Sequence, residues 1–132
     1  MTILCKGKQI GKESVVFGKL CIINKLEDIN LLSEGDIVFF GQTFSNIDTF
    51  YVTHKCIKQN VKGFLRFGGG NNDHGSIVAK ELGVNYVRVE KDLTNYKNQK
   101  ISIVDEEIFL GEKNKVLSKK NNTVEEFTES SI

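Results

Sequence analysis

The sequence predicts a mixed α/β domain, and two observations lead to this prediction. Short runs of β-branched and apolar residues recur along the 132 residues, separated by turns rich in glycine and asparagine. Two other segments carry apolar residues at helical spacing. With 39% hydrophobic residues, the chain has material for one ordinary core. We therefore predict one domain over residues 1–117, with a mixed sheet and few helices, followed by a polar tail over 118–132.

The first half of the chain contains two predicted strands. VVFGKLCII at 15–23 is almost wholly apolar, and nearby glycines are expected to shape turns and a bulge around it: Gly7, Gly11 and Gly18. The turn signal Ser-Glu-Gly-Asp then leads into the apolar run at 37–40, and a buried strand is predicted at 36–40.

The segment 46–60 is a predicted helix. Ser45 and Asp48 approximate a capping box at its start. An apolar face is expected from residues at helical spacing: Ile47, Phe50, Tyr51, His54 and Ile57. A strand is the competing interpretation, because 50–53 is rich in β-forming residues.

The second half predicts a strand, a glycine loop and a helix in direct succession. VKGFLRF at 61–67 leads into GGGNND, and HGSIVAKEL then forms a short helix ended by Gly83. Further strands are predicted at 85–89 and 100–104, with a hairpin partner at 107–111. The tail loses apolar periodicity, although Val124 and Phe127 could belong to a short terminal helix.

Composition excludes several classes of function. Eighteen basic and 17 acidic side chains give a formal charge of +1, so no broad field favours nucleic acid or an anionic membrane. No apolar run approaches the length of a membrane span or a signal peptide, which predicts a soluble cytoplasmic protein. The three cysteines lack metal-ligand spacing and are expected to be buried free thiols: Cys5, Cys21 and Cys56.

His74 is the strongest candidate for chemistry. Imidazole is a nitrogen nucleophile that is largely neutral near pH 7 and can hold a phosphoryl group reversibly. In the first turn of a helix, backbone N–H groups and the helix dipole favour a bound phosphoryl dianion. Gly69 and Gly70 are expected to shape this site, and Gly75 and Ser76 to contact the phosphoryl group.

The segment 68–84 resembles the signature of phosphoenolpyruvate-utilising mobile domains, in which a glycine pair precedes a histidine that opens an alanine-rich helix ending in Glu-Leu-Gly. The resemblance continues in order over about residues 8–117, through LLSEGDIVFF, VKGFLRFGGG, IVAKELGVNYV and LTNYKNQKISIVDEEIFLG. It implies the compact β/β/α swivelling phosphohistidine fold, with His74 as the phosphoryl carrier.

The resemblance also implies partners. A phosphoryl group would pass to His74 from an ATP- or phosphoenolpyruvate-dependent partner and then to a pyruvate-like or other acceptor. An ATP-grasp nucleotide-binding domain or subunit and an acceptor-binding domain or subunit are expected, with Mg²⁺ and ATP or phosphoenolpyruvate bound there. No cofactor or metal is expected in this domain itself. At 132 residues the chain is not expected to be a complete enzyme alone.

Departures from the family pattern leave alternatives open. Asn72 and Asp73 stand where the family usually has threonine and a small hydroxyl residue, while Lys80 and Asn85 replace the usual arginine and proline. Asp73 could orient the imidazole or raise its basicity, and it would also repel an incoming phosphoryl group. One alternative is a regulatory or assembly module that keeps the carrier fold without phosphorylation. Another is a swivelling subunit of different chemistry, such as that of a dehydratase.

The remaining polar residues favour structural interpretations. His54 is expected to be a packed or half-exposed structural imidazole. Asp105, Glu106 and Glu107 form an acidic cluster between two predicted strands, where a solvated turn is more typical than a metal site. Arg66 and Arg88 could aid phosphate binding, with surface roles as the favoured interpretation.

Overall fold

A computed structural model describes residues 2–41, 46–68 and 74–111. In these ranges the chain forms seven strands and two α-helices: β1 (Thr2–Gln9), β2 (Val16–Ile23), β3 (Ile37–Phe40), α1 (Asn46–Lys58), β4 (Gly63–Phe67), α2 (His74–Leu82), β5 (Asn85–Val89), β6 (Lys100–Val104) and β7 (Glu107–Leu110). Two 3-10 helices complete the elements: Leu26–Leu31 and Thr94–Tyr96. All seven strands join in one closed barrel, in the order β1-β5-β4-β3-β2-β6-β7. The fold is thus mixed α/β with few helices.

Four neighbouring strands of the barrel, β2 to β5, run parallel. The chain passes from β3 through α1 to β4, and from β4 through α2 to β5. The two helices pack closely against each other. Because each helix follows a parallel strand, both helices begin at the edge of the sheet where the parallel strands end. This is the edge at which open and parallel sheets commonly bind ligands.

Alternate residues of the parallel strands build two separate hydrophobic cores. One core fills the barrel, and its members include Leu20, Ile37, Phe39, Leu65, Val87, Ile101 and Ile103. The other lies between the sheet and the helices, and it includes Val38, Phe40, Val52, Cys56, Phe64, Ala79 and Tyr86. Burial on both faces explains why these strands are continuous apolar runs in the sequence.

The predicted strands at 15–23, 36–40, 61–67, 85–89 and 100–104 are all present within two residues of their expected bounds, and 107–111 is the hairpin partner of β6. The strand β1 was missed, because its sequence TILCKGKQ has only a short apolar run and no alternation of apolar and polar residues. It closes the barrel by pairing with β5 and β7. Gly83 has the positive φ, +70°, that its predicted position at the end of α2 requires.

Helix α1 is confirmed, but its predicted apolar face is largely wrong: Ile57 packs against the core, whereas three other members of that face are exposed. Phe50 and Tyr51 are each 53% exposed, and His54 is also exposed rather than packed. The buried face instead consists of smaller residues one step round the helix: Thr49, Val52, Thr53 and Cys56. Small side chains on this face allow α2 to approach closely, so helix packing overrides the larger apolar surface of the aromatic pair.

The three cysteines are free thiols, with Cys21 and Cys56 buried and Cys5 partly buried. Burial raises the pKa of Cys56 to about 12, and the nearby Cys21 adds to this effect. Burial, followed by the charge of Asp36, raises the pKa of Cys21 to about 11. Both thiols therefore stay protonated in the folded protein at pH values where an unfolded chain loses their protons.

These pKa values predict an alkaline loss of stability. Above the ordinary thiol pKa of about 9 the unfolded chain binds fewer protons than the folded one, so the free energy of unfolding falls as pH rises from there towards 12. Each thiol contributes a slope of up to about 1.4 kcal/mol per pH unit. Urea unfolding at about pH 8 and about pH 10 measures it. Cys56→Ala is expected to reduce the slope, and an unchanged slope would contradict this account.

No helix in the described ranges is long and apolar enough to cross a membrane. Residues 112–132 lie outside those ranges, and with them the predicted tail and its residues Val124 and Phe127.

Candidate functional site

His74 is the first residue of α2, as the sequence predicted, and its side chain is half-buried. The histidine end of α2 lies at the edge of the sheet where β4 ends, because only a short connection separates Phe67 from His74. Four predicted site residues precede His74 and lie outside the described residues: Gly69, Gly70, Asn72 and Asp73. Their roles remain predictions.

Gly75 is the second residue of α2 and is buried. Its amide donates a hydrogen bond to Thr49 Oγ1 of α1, at 3.0 Å. The contact of Gly75 with a phosphoryl group stays a prediction, and in this structure a threonine hydroxyl engages its amide. Ser76, the other predicted contact, is half-buried one residue further along the helix.

At Gly75, α2 also approaches its neighbours closely. A Cβ at this position would lie 2.7 Å from Thr53 Oγ1, 2.9 Å from the Tyr86 hydroxyl and 3.0 Å from Thr49 Cβ. All three distances are shorter than van der Waals contact. Only glycine therefore fits between α1 and β5 at the second residue of the helix.

Three buried hydroxyl-bearing residues thus surround the histidine end of α2: Thr49, Thr53 and Tyr86. The Oγ1 of Thr53 has no hydrogen-bond partner within the described part of the chain. Sequence reasoning missed this group, because it sought the site in the loop and helix around His74. The available signal was Thr49 and Thr53, two small residues one helical turn apart in α1.

Arg66 occupies β4, two residues before the strand leads into the glycine loop. It is 1% exposed, so the surface role favoured from the sequence is wrong. Its Nη1 donates a hydrogen bond to the carbonyl oxygen of Gly41, at 3.0 Å, where β3 ends. Arg88 is half-buried and is the direct partner of Arg66 in the β4–β5 ladder.

The acidic cluster forms the turn between β6 and β7, as predicted. The Glu106 carboxylate accepts a hydrogen bond from the backbone N–H of Gln9 at 2.6 Å, and the Glu106 carbonyl oxygen accepts one from the backbone N–H of Gly7 at 2.8 Å. Glu107 lies 3.9 Å from the ammonium group of Lys6. A pocket of about 360 Å³ opens beside this turn, but the described residues contain no group of three or more potential metal ligands. The acidic residues here tie β1 to the hairpin.

Comparison with known proteins gives relatives by sequence and by structure. No protein-family profile matches the chain. Over 82 residues the chain is 33% identical to phosphoenolpyruvate synthase of Helicobacter pylori (strain ATCC 700392 / 26695), a match that covers 62% of this chain and 9% of the synthase. This chain therefore corresponds to less than a tenth of that relative.

One structural relative is aconitase X of Thermococcus kodakaraensis in its holo-form. The TM-score is 0.57 at 14% identity, and the match covers 82% of this chain and 98% of the other. At this identity the likeness concerns the fold alone. The synthase match is a likeness of sequence to a small part of one phosphoenolpyruvate-utilising protein.

Proposed function

We propose that this chain is a swivelling phosphoryl-carrier domain and that His74 carries the phosphoryl group. The observation that carries the proposal is the position of His74. It opens a helix at the carboxyl edge of parallel strands, in a chain that resembles part of a phosphoenolpyruvate synthase. A helix start of this kind favours a bound dianion through its N–H groups and dipole.

The proposed reaction is phosphoryl transfer to an imidazole nitrogen. The nitrogen lone pair forms an N–P bond, the donor P–O bond breaks, and the donor oxygen leaves with the electron pair. Transfer to the acceptor reverses these steps and frees the imidazole. Gly69 and Gly70 would allow close approach of the donor, and Asp73 would orient the ring or raise its basicity.

The buried hydroxyl-bearing residues support the carrier role by fixing the helix start. Thr49 accepts the Gly75 hydrogen bond, and Gly75 fits tightly against Thr53 and Tyr86. The residue that follows His74 is thus held by two neighbouring elements. A nucleophile that is held in place pays less entropy when it reaches the donor.

The rest of the reaction belongs to partners in this proposal. A cytoplasmic ATP-grasp domain or subunit would bind Mg²⁺ with ATP, or a phosphoenolpyruvate site would serve as donor, and a second domain would bind the acceptor. These partners would supply most of the neutralisation of charge in the transition state. The carrier itself supplies the nucleophile and its mobility.

Labelling of His74 tests the proposal. We expect a phosphoenolpyruvate synthase with ³²P-labelled phosphoenolpyruvate or ATP to transfer label to this chain as acid-labile, alkali-stable phosphate. His74→Ala should lower the incorporation at least about 100-fold, because the nucleophile is removed. His54→Ala is the matched control and should label normally, since His54 lies exposed on α1. Absence of label in the wild type, or equal label in His74→Ala, would falsify the proposal.

A second candidate is a swivelling subunit of different chemistry, such as that of a dehydratase. The likeness of the fold to aconitase X favours it. Such a subunit would not be labelled by either phosphoryl donor, and neither would a regulatory or assembly module. Binding of a hydroxy acid by the unlabelled chain would then distinguish a dehydratase-like subunit from a regulatory or assembly module.

A further inference from the structure

We propose that two buried threonines of α1 form an acceptor switch beside His74, an inference that rests on the proposed carrier function. Thr49 accepts the Gly75 amide while His74 is free and releases this amide to the phosphoryl group when His74 is phosphorylated. The hydroxyl of Thr53 then donates to the Thr49 oxygen in place of the amide. Both threonines are positioning residues, because they act on the phosphoryl group through Gly75.

The Gly75 amide is one of the donors that a helix leaves without a carbonyl partner at its start. Helix α2 begins at His74, so the amide of the next residue belongs to the first turn. A phosphoryl dianion on His74 draws on such N–H groups. In the structure the Oγ1 of Thr49 accepts a hydrogen bond from this amide, at 3.0 Å in a buried position. Thr49 and a phosphoryl group therefore compete for the same donor.

The second threonine carries a buried hydroxyl that is unpaired. Thr53 has no exposed surface, and its Oγ1 finds no hydrogen-bond partner among residues 2–41, 46–68 and 74–111. A buried hydroxyl in this condition destabilises the folded chain, whereas valine has nearly the same shape and needs no partner. The hydroxyl is therefore expected to find its partner in another state of the domain.

Both threonine side chains touch the same glycine. A Cβ on Gly75 would lie 2.7 Å from Thr53 Oγ1 and 3.0 Å from Thr49 Cβ. Within α1 the two threonines are one turn apart, the spacing at which side chains of a helix are neighbours. A threonine oxygen has two acceptor positions. When the amide leaves, rotation of the Thr53 side chain brings its hydroxyl to the Thr49 oxygen.

The switch determines how firmly the domain holds its phosphoryl group. A carrier must accept this group and also give it away, so Thr49 acts as a competitor that keeps the hold moderate. Thr49→Val removes the competitor and should strengthen the hold. Thr53→Val removes the donor that replaces the amide and should weaken it. Two substitutions of similar shape at one helix start are thus expected to act in opposite directions.

Phosphoramidate provides a test that needs no partner enzyme. An imidazole nitrogen forms the new N–P bond, the P–N bond of phosphoramidate breaks, and ammonia leaves after taking up a proton. Labelled His74 and His54 can be separated by peptide mass spectrometry. Because His54 is exposed on α1, it serves as an internal reference.

The rate at which label is lost measures the hold. In hydrolysis a water oxygen forms a P–O bond, the N–P bond breaks, and the imidazole nitrogen takes up a proton. The departing group carries less negative charge than the bound dianion, so an N–H donor stabilises the labelled state more than the transition state. We expect Thr49→Val to slow the loss from His74 about fivefold and Thr53→Val to accelerate it about threefold, with His54 unchanged.

Three further readouts separate the switch from a structural role. In NMR spectra of the labelled wild type, the Gly75 nitrogen should couple to ³¹P across an N–H···O–P hydrogen bond, a signal that packing cannot produce. Thr49→Ser keeps the acceptor and should lose label at the wild-type rate. Thr53→Val should resist urea at least as well as the wild type, because it removes an unpaired hydroxyl. Where Thr49→Val does not fold, the coupling and Thr53→Val decide.

The outcomes distinguish the switch from the carrier function. Wild-type loss rates at His74 in both valine variants, or a labelled wild type without the coupling, overturn the switch and leave the carrier function standing. Faster loss in both variants overturns it as well, because the threonines would then merely support the helix. A wild-type His74 that neither phosphoramidate nor the synthase labels overturns both proposals together.

Discussion

Phe64→Ala is expected to lower the free energy of unfolding by about 3–5 kcal/mol, the range for removing a fully buried aromatic ring. Phe64 has no exposed surface and lies at the centre of a row of rings on three parallel strands. Its ring centroid lies 5.8 Å from that of Phe40 and 5.5 Å from that of Tyr86. Both helices rest on the core that contains this row, so the cavity opens directly beneath the site.

Phe50→Ala is the matched control, because it removes the same ring from α1. Phe50 is 53% exposed, so its loss should cost no more than about 0.5 kcal/mol. Urea unfolding followed by circular dichroism measures both variants. Similar losses in the two would mean that α1 packs with its aromatic face inwards, contrary to the structure.

These two positions also show which features of the fold could be predicted from the sequence. The β-rich runs at 36–40 and 61–67 predicted buried strands, because parallel strands covered on both faces consist of apolar residues throughout. Helical spacing predicted α1 but suggested the wrong face. Spacing identifies apolar residues that share a side, whereas packing against α2 selected the smaller threonine side, which no local pattern reveals.

Part of the candidate site was likewise predicted from the sequence, and part was not. His74 was predicted from a glycine loop followed by a helix, a local pattern that the helix start at His74 matches. The supporting residues come from elsewhere in the chain: Thr49 and Thr53 from α1, Tyr86 from β5. Their meeting depends on the order of the strands and on the close contact between the helices. Closure of the barrel by β1 could not be predicted either, because β1 pairs with strands that are distant from it in the sequence.

Arg66 shows why burial is hard to judge from sequence. A charged residue between Leu65 and Phe67 could lie on a solvent-facing side of a strand, and alternation alone favours that interpretation. The helix connections cover this side, which turns an apparent surface cation into a buried one. Its hydrogen bond to Gly41 joins the ends of β3 and β4, the two strands that lead to the helix starts.

Gly75→Val is the second change with a large expected effect, a loss of about 3 kcal/mol in the free energy of unfolding. Its side chain would meet atoms of α1 and β5 that leave no room even for a Cβ, the nearest at 2.7 Å. Thr49 Cβ is attached directly to the backbone and the Tyr86 ring is buried, so neither can give way cheaply. The higher helix propensity of valine offsets only a few tenths of a kcal/mol.

Gly75→Ala should lower the free energy of unfolding by about 1 kcal/mol, less than Gly75→Val, because one methyl group chiefly displaces the rotatable hydroxyl of Thr53. Lys80→Val, at an exposed position of the same helix, introduces the same side chain without a clash and should cost no more than about 0.5 kcal/mol. Urea unfolding ranks the three variants. Wild-type stability in Gly75→Val would contradict the close approach of α2 to α1 and β5.

The same variant connects stability with the proposed chemistry. A valine that pushes the first turn of α2 away from Thr49 also moves His74, the preceding residue, together with the helix N–H groups beside it. Phosphoramidate labelling of His74 should then fall under conditions where Gly75→Val is still folded, while labelling of His54 on α1 stays constant. A fall at His74 with constant labelling of His54 indicates displacement of His74, because unfolding would expose both histidines and make their labelling rates equal. Close packing at Gly75 is thus expected to be required for phosphoryl transfer to His74.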